Sequence, residues 1–148
     1  MNFVPADFEP PIALDGPGFR LEPLGAAHNE RDHIAWMASI DHIHSTPGFE
    51  DPDEWPKPMS LEKNLADLVR HAEDFEKRTG FTYSVLDGDD VIGCLYIYPS
   101  DREAHDAHLS SWVTETRSEL DQPLWQTVTA WLGDTWPFTD PLYASRDS

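Results

Sequence analysis

The sequence is poor in sulfur and in positive charge, and it has no long apolar stretch. Its single cysteine, Cys94, permits no internal disulfide and cannot build a metal cluster alone. It lies inside an apolar run and reads as a small buried hydrophobe. Ten Lys and Arg residues stand against 28 Asp and Glu, a formal net charge of −18. Such a surface repels nucleic-acid phosphates and anionic lipid, which argues against nucleic-acid and membrane partners. The acidic residues are scattered, so solubility or an acidic proteome explains them more simply than an interaction tail does. A basic partner protein is the sharper alternative. No window approaches the roughly 18 apolar residues of a membrane span, and the first residues lack the basic and apolar regions of a signal peptide. The expectation is a soluble, cytoplasmic protein.

What is present points to a folded domain. Hydrophobic residues make up 39% of 148, with six Trp and seven Phe. That is too aromatic for a disordered chain and enough for one core. Residues 1–18 are rich in Pro and Gly and read as an extended arm, laid over the domain or loose. The domain proper is expected over 19–148. Residues 19–24 alternate apolar and polar, as in a half-buried strand. A helix is expected over 27–44, with Ile34, Met37, Ala38 and Ile40 on its apolar face. Thr46-Pro47-Gly48 stops it. The loop 46–59 carries Phe49 and Trp55 among prolines. Two such aromatics either pin the loop to the core or line a pocket. Ser60 suits the N-cap of a second helix, in which Leu61, Leu65, Leu68, Ala72 and Phe75 recur at helical spacing. That stripe reads as core packing, and Gly80 is its stop.

The second half begins with a hairpin. Apolar runs at Phe81–Asp87 and 91–99 flank Gly88-Asp89-Asp90. Gly93 inside the second run suggests a bulge or a close approach by another group. A third strand follows at 108–116, then a helix over 120–136 striped by Leu120, Leu124, Val128 and Trp131. Pro123 fits its first turn and Pro137 ends it. Residues 141–145 form a last short strand, parallel to its predecessor across the helix. The predicted order is β-α-α-β-β-β-α-β, an α+β fold with a mostly antiparallel sheet flanked by helices.

This ordered set resembles the GCN5-related N-acetyltransferase (GNAT) family. The resemblance rests on the strand at 19–24, the paired helices, Asp90-Val-Ile-Gly-Cys-Leu95, Ser111-Trp-Val-Thr114, the junction at Arg117 with its helix, and Leu142-Tyr-Ala144. It covers roughly 19–146. It implies a fourth strand splayed from the fifth, with acetyl-CoA in the gap as acyl donor and an amine as acceptor. Backbone groups of Trp112, Val113 and Thr114 would hold the pantetheine, and Arg117 and Ser118 would lie at the phosphate end. The family's phosphate loop places glycines where backbone must approach the pyrophosphate. Here Leu120 and Gln122 occupy those positions, beside Glu119 and Asp121. A carboxylate about 6 Å from a phosphate charge opposes binding by roughly 1–3 kcal/mol before screening. The expectation is therefore a helix capped by its own side chains and a weakened phosphate cradle.

The family pattern continues with a further helix and two strands, whereas this sequence stops at Ser148. Tyr143 does not fall in the element that carries the family's tyrosine, so no catalytic Tyr is carried over. A homodimer could complete the sheet along an exposed final strand. Glu115, read as lying on the fourth strand, is the candidate general base, acting through water. Other chemistry has weaker support. His42 and His44, and the cluster Glu103, His105, Asp106 and His108, lack convergent metal-ligand spacing and read as solvated loops, so no metal is expected. Ser110 and Ser111 lack a nucleophile elbow. Two readings remain: an acyl-CoA-dependent N-acetyltransferase of unknown acceptor with weakened CoA binding, or a non-catalytic module on the same scaffold.

Overall fold

The computed structural model describes residues 2–146. Six strands form one sheet in sequential order: β1 (Leu14–Gly16), β2 (Phe19–Pro23), β3 (Phe81–Asp87), β4 (Asp90–Tyr98), β5 (Ala107–Val113) and β6 (Pro141–Tyr143). Neighbours are antiparallel except β5 and β6, which run parallel. Helix α4 (Asp121–Thr135) makes the crossover between them and covers one face. The other face carries α1 (Asn29–Met37), α2 (Ile40–His44) and α3 (Leu61–Lys77). Among the described residues no helix is long and apolar enough to cross a membrane.

The α+β order expected from the sequence is present, with two additions. Strand β1 falls within residues 1–18 and pairs with β2 through a tight turn, where Gly18 takes a φ of 87° that favours glycine. The helix expected over 27–44 is two helices, broken at Ala38 and Ser39. The buried Ser39 hydroxyl accepts the Glu115 N–H at 3.1 Å, which fixes the break from across the sheet. Ahead of β1, Val4 is buried in the core and Phe3 and Phe8 pack against it.

Side-chain alternation along the strands splits the core in two. Phe81, Tyr83, Leu95, Ile97, Leu109 and Val113 face α4 through Leu124, Val128 and Trp131. Leu86, Cys94 and Trp112 face α1 and α3 through Ala35, Trp36 and Leu68. Cys94 is fully buried, and burial, then the nearby Asp32 charge, pushes its thiol well above the usual range. Both readings of Gly93 hold. Val85 pairs with Gly93 while Leu86 pairs with Val91, so Ile92 is an extra residue in a bulge. A Cβ on Gly93 would also sit 2.4 Å from the Trp112 carbonyl oxygen.

Two helical stripes differ from expectation. Leu61 and Leu65 are 41% and 39% exposed, and the inner face of α3 is built on Asn64 and Leu68. Likewise Ile34 is exposed, while Asp32, Ala35 and Trp36 turn inward. Both helices present polar side chains to the interior because a hydrogen-bonded cavity, rather than a closed apolar layer, separates them from the sheet.

Candidate active site

That cavity, about 500 Å³, opens between α1, α3 and the aromatic loop on one side and β4 and β5 on the other. Its walls are rings. Trp55 lies 5.3 Å from Trp36, 5.8 Å from Phe49 and 6.0 Å from Trp112 between centroids, and Phe49 lies 6.1 Å from Tyr96. Pinning and pocket-lining, the two alternatives for loop 46–59, are both realised. His44 sets its two ring nitrogens against the Phe49 and Pro56 carbonyls, each at 2.8 Å, and His33 Nε2 meets the Met59 carbonyl at 2.7 Å.

The cavity floor is a polar network. The Trp36 indole N–H donates to Asn64 Oδ1 at 3.1 Å. The Asn64 amide donates to Asn29 Oδ1 at 2.9 Å and to Asp32 Oδ2 at 3.1 Å. Asp32 is 4% exposed. Burial raises its carboxyl to about 6, against the smaller lowering effects of Asn64, His28 and His33. Tyr96 accepts the Trp112 indole N–H at 3.0 Å. At the rim, Tyr98 donates to Asp74 at 2.9 Å and meets His71 Nδ1 at 2.7 Å. With the Tyr98 proton spent on Asp74, Nδ1 is the ring nitrogen that donates, and Nε2 accepts the Arg70 N–H at 3.4 Å. Burial, then Arg70, lowers the His71 pKa.

On the other face of the sheet, β5 and β6 pair over three residues only, from Ala107 with Pro141 to Leu109 with Tyr143. Beyond Leu109, β5 runs on to Val113 with no partner on that edge. The Thr114 N–H bonds the Ile92 carbonyl, so Trp112 and Thr114 direct their backbone groups to β4. By alternation, Ser111 and Val113 direct theirs into the gap. The gap is filled by the chain itself. The Arg146 guanidinium, buried, donates to the Ser111 carbonyl at 2.9 Å and to Asp121 Oδ2 at 2.9 Å. The Tyr143 hydroxyl meets Ser111 Oγ at 2.5 Å.

The fold as a whole is shared with solved acetyltransferases. The structure aligns with the ribosomal-protein-S5-alanine acetyltransferase of Vibrio fischeri over 82% of this chain and 67% of that one (TM-score 0.59, 13% identity). It aligns with Mycobacterium smegmatis RimJ, solved with a CoA disulfide, over 92% and 67% (0.63, 13%). For the microcin C7 self-immunity acetyltransferase MccE, solved with acetyl-CoA and AMP, the shares are 82% and 64% (0.62, 9%). The chain has the GNAT fold. No family profile matches the sequence, and no curated protein matches it.

Within the GNAT frame, the residues singled out from the sequence take different places. Of Trp112, Val113 and Thr114, only Val113 offers backbone groups to the gap. The Trp112 side chain is buried in the core instead, behind the cavity-lining Trp55 and Tyr96. Glu115 lies past the end of β5, exposed, with its N–H on Ser39. It does not line the aromatic cavity. Arg117 is tied to Asp87 at 2.7 Å, and the Ser118 carbonyl accepts the Asp121 N–H. The glycine cradle has no counterpart. Residues Glu115–Leu120 coil into 3-10 turns that run directly into α4, and Leu120 packs on the core. The expected capping of α4 by side chains is not observed, because the preceding turns supply the entry to the helix.

The histidine–acid clusters serve other ends. Asp106 accepts from the Thr139 and Asp140 N–H groups and shapes the turn into β6, and His105 Nδ1 lies 3.4 Å from Asp140. Among the described residues no group of three or more His, Cys, Asp and Glu is arranged to hold a metal. Sequence reasoning missed Asp32, Asn64 and His71. Asn64, Leu68, His71 and Phe75 recur at helical spacing, a second stripe on α3 that mixes polar and apolar residues.

Proposed function

We propose that the protein transfers an acyl group from an acyl-CoA thioester to an amine held in the aromatic cavity. The observation that carries this is the shared strand. Ser110 of β5 lines the cavity, while the next residue, Ser111, faces the gap on the opposite side. Donor and acceptor sites would then meet across a single strand. The thioester supplies the acyl group. The ammonium must lose a proton before its nitrogen attacks the acyl carbon; the C–S bond then breaks, and CoA leaves as the thiolate, which takes the second amine proton. Donor binding is weak in this reading, since Arg146 competes for the Ser111 carbonyl and no backbone cradle receives the phosphates.

A second reading has one specific observation in its favour. Arg146 in the gap is what a scaffold kept for amine binding alone would show. Titration with acetyl-CoA separates the two. A site-specific ligand at a hundredfold over its dissociation constant raises stability by about 2.7 kcal/mol. Saturable heat and a matching thermal shift support transfer. No shift at millimolar acetyl-CoA removes transfer and leaves the amine-binding module.

A further inference from the structure

We infer that the aromatic cavity selects a monocationic amine with an apolar, ring-sized body, its ammonium seated at Asp32 and its body against Trp36, Trp55 and Phe49. The assignment of this amine as acceptor rests on the transfer reading above, but its binding requires no acyl donor.

Three observations converge. First, the volume, about 500 Å³, suits a small ligand, and the lining combines aromatic rings with charged and polar groups. Second, Asp32 is buried yet makes no ion pair among the described residues; His28 and His33 act on it only as the weaker of the groups that lower its pKa. Its one hydrogen-bond donor is the neutral Asn64 amide, and Oδ1 receives no donor among the described residues. A buried carboxylate is normally paired, and here the missing cation would enter from the cavity that Asp32 lines. Third, the faces of Trp and Tyr rings attract a cation, most strongly where water is excluded.

The rim limits the choice further. Lys63 and Arg70 line the same cavity. Asp67 offsets Arg70 at 3.6 Å, whereas Lys63 has no ion pair among the described residues and disfavours a second positive charge at the mouth, so a polyamine is a poor occupant. A neutral alcohol of the same shape would leave Asp32 without its counter-charge.

Ionisation of Asp32 must accompany binding, which makes affinity depend on pH. The other titratable groups around it are His28 and His33 from its own stretch and Cys94 and Tyr96 from β4. Across the cavity, α3 adds Lys63, Asp67, Arg70 and His71. Cys94 and Tyr96 are both held well above their usual range, chiefly by burial, and so stay neutral near pH 6.

Calorimetry on the full chain with 2-phenylethylamine, 2-phenylethanol and spermidine tests this without acyl donor. At pH 8 the amine is expected to bind at least tenfold tighter than the alcohol and than spermidine. Its affinity should fall several-fold between pH 7 and pH 5. In Asp32→Asn the advantage over the alcohol disappears. Equal binding of amine and alcohol, or a preference for spermidine, overturns the inference, and so does a wild-type affinity that ignores pH. The wild-type pH series decides even if Asp32→Asn fails to fold. Failure here with intact acetyl-CoA binding rejects the amine class but leaves transfer standing. Amine binding without acetyl-CoA binding rejects transfer and leaves the inference standing.

Discussion

The two sides of β5 have opposite characters. Toward α4, the chain fills its own gap: Arg146 sits on the Ser111 carbonyl, Tyr143 meets Ser111 Oγ, and Asp121 takes the guanidinium. Three buried polar atoms on that side lack a partner among the described residues: Asp121 Oδ1 and the Trp125 and Trp136 indole nitrogens. Toward α1 and α3, rings surround open space, and Asp32 is buried with no ion pair among the described residues. One side is filled by the protein's own groups, while the other is left open. Rigid walls with an unmatched charge describe a site preorganised for a ligand, whereas the α4 side must open before it can receive one.

The largest effect should come from the wall between cavity and core. Trp36 is fully buried and its N–H holds Asn64. Trp36→Ala should cost about 3–5 kcal/mol in urea unfolding and abolish amine binding. A loss below about 1 kcal/mol would mean that the cavity is a detachable surface feature, and the contrast between the two sides would lose its physical basis.

Arg146→Ala tests the α4 side. It strands the Asp121 carboxylate, whose side chain is 25% exposed, and leaves the Ser111 carbonyl unpaired. Breaking a buried pair costs about 3–5 kcal/mol, and partial exposure of Asp121 puts the expected loss near the lower end. Acetyl-CoA affinity should rise several-fold as the gap empties. If affinity falls instead, Arg146 contacts the donor, and the gap is a built site rather than a filled one.

Asp32→Asn sharpens the contrast through pH. The folded-state value of about 6 lies above the usual 3.8. The native state therefore binds this proton more tightly than the unfolded chain does. Stability linked to Asp32 is greatest below the unfolded value and is lost as pH rises from about 4 to about 6. A shift of this size corresponds to about 3 kcal/mol at most. Asp32→Asn should remove that slope and be more stable than wild type at pH 8, by about 1–3 kcal/mol. Matched slopes in melts from pH 4 to pH 8 would show that some other group absorbs the charge.

What could be read from sequence follows the range of the signals. The β3–β4 hairpin and the start of α4 were legible because their determinants, Gly88-Asp89-Asp90 and Pro123, are local. The break at Ser39 was not, since its partner Glu115 lies 76 residues away. Arg146 was invisible for the same reason: its partners are 25 and 35 residues distant. The inner face of α3 was misread because counting apolar positions favours Leu61 and Leu65 over a stripe that begins with Asn64. A cavity floor needs polar side chains inside, and hydrophobic periodicity has no way to register them. The absence of glycines at the junction, by contrast, is legible directly in Leu120 and Gln122.

The smallest effect concerns Arg117, which the GNAT resemblance places at the phosphate end. Its guanidinium is bound to Asp87 at 2.7 Å, with side chains 32% and 45% exposed. An exposed pair of this kind contributes about 0–1 kcal/mol and is screened by salt. Arg117→Ala should therefore shift stability by less than about 1 kcal/mol, and less in high salt than in low. If Asp87 already holds the guanidinium, acetyl-CoA affinity should hardly change. A marked loss of affinity, with a shallower salt dependence, would show that Arg117 exchanges Asp87 for a donor phosphate, and the α4 side would then be poised to open rather than self-contained.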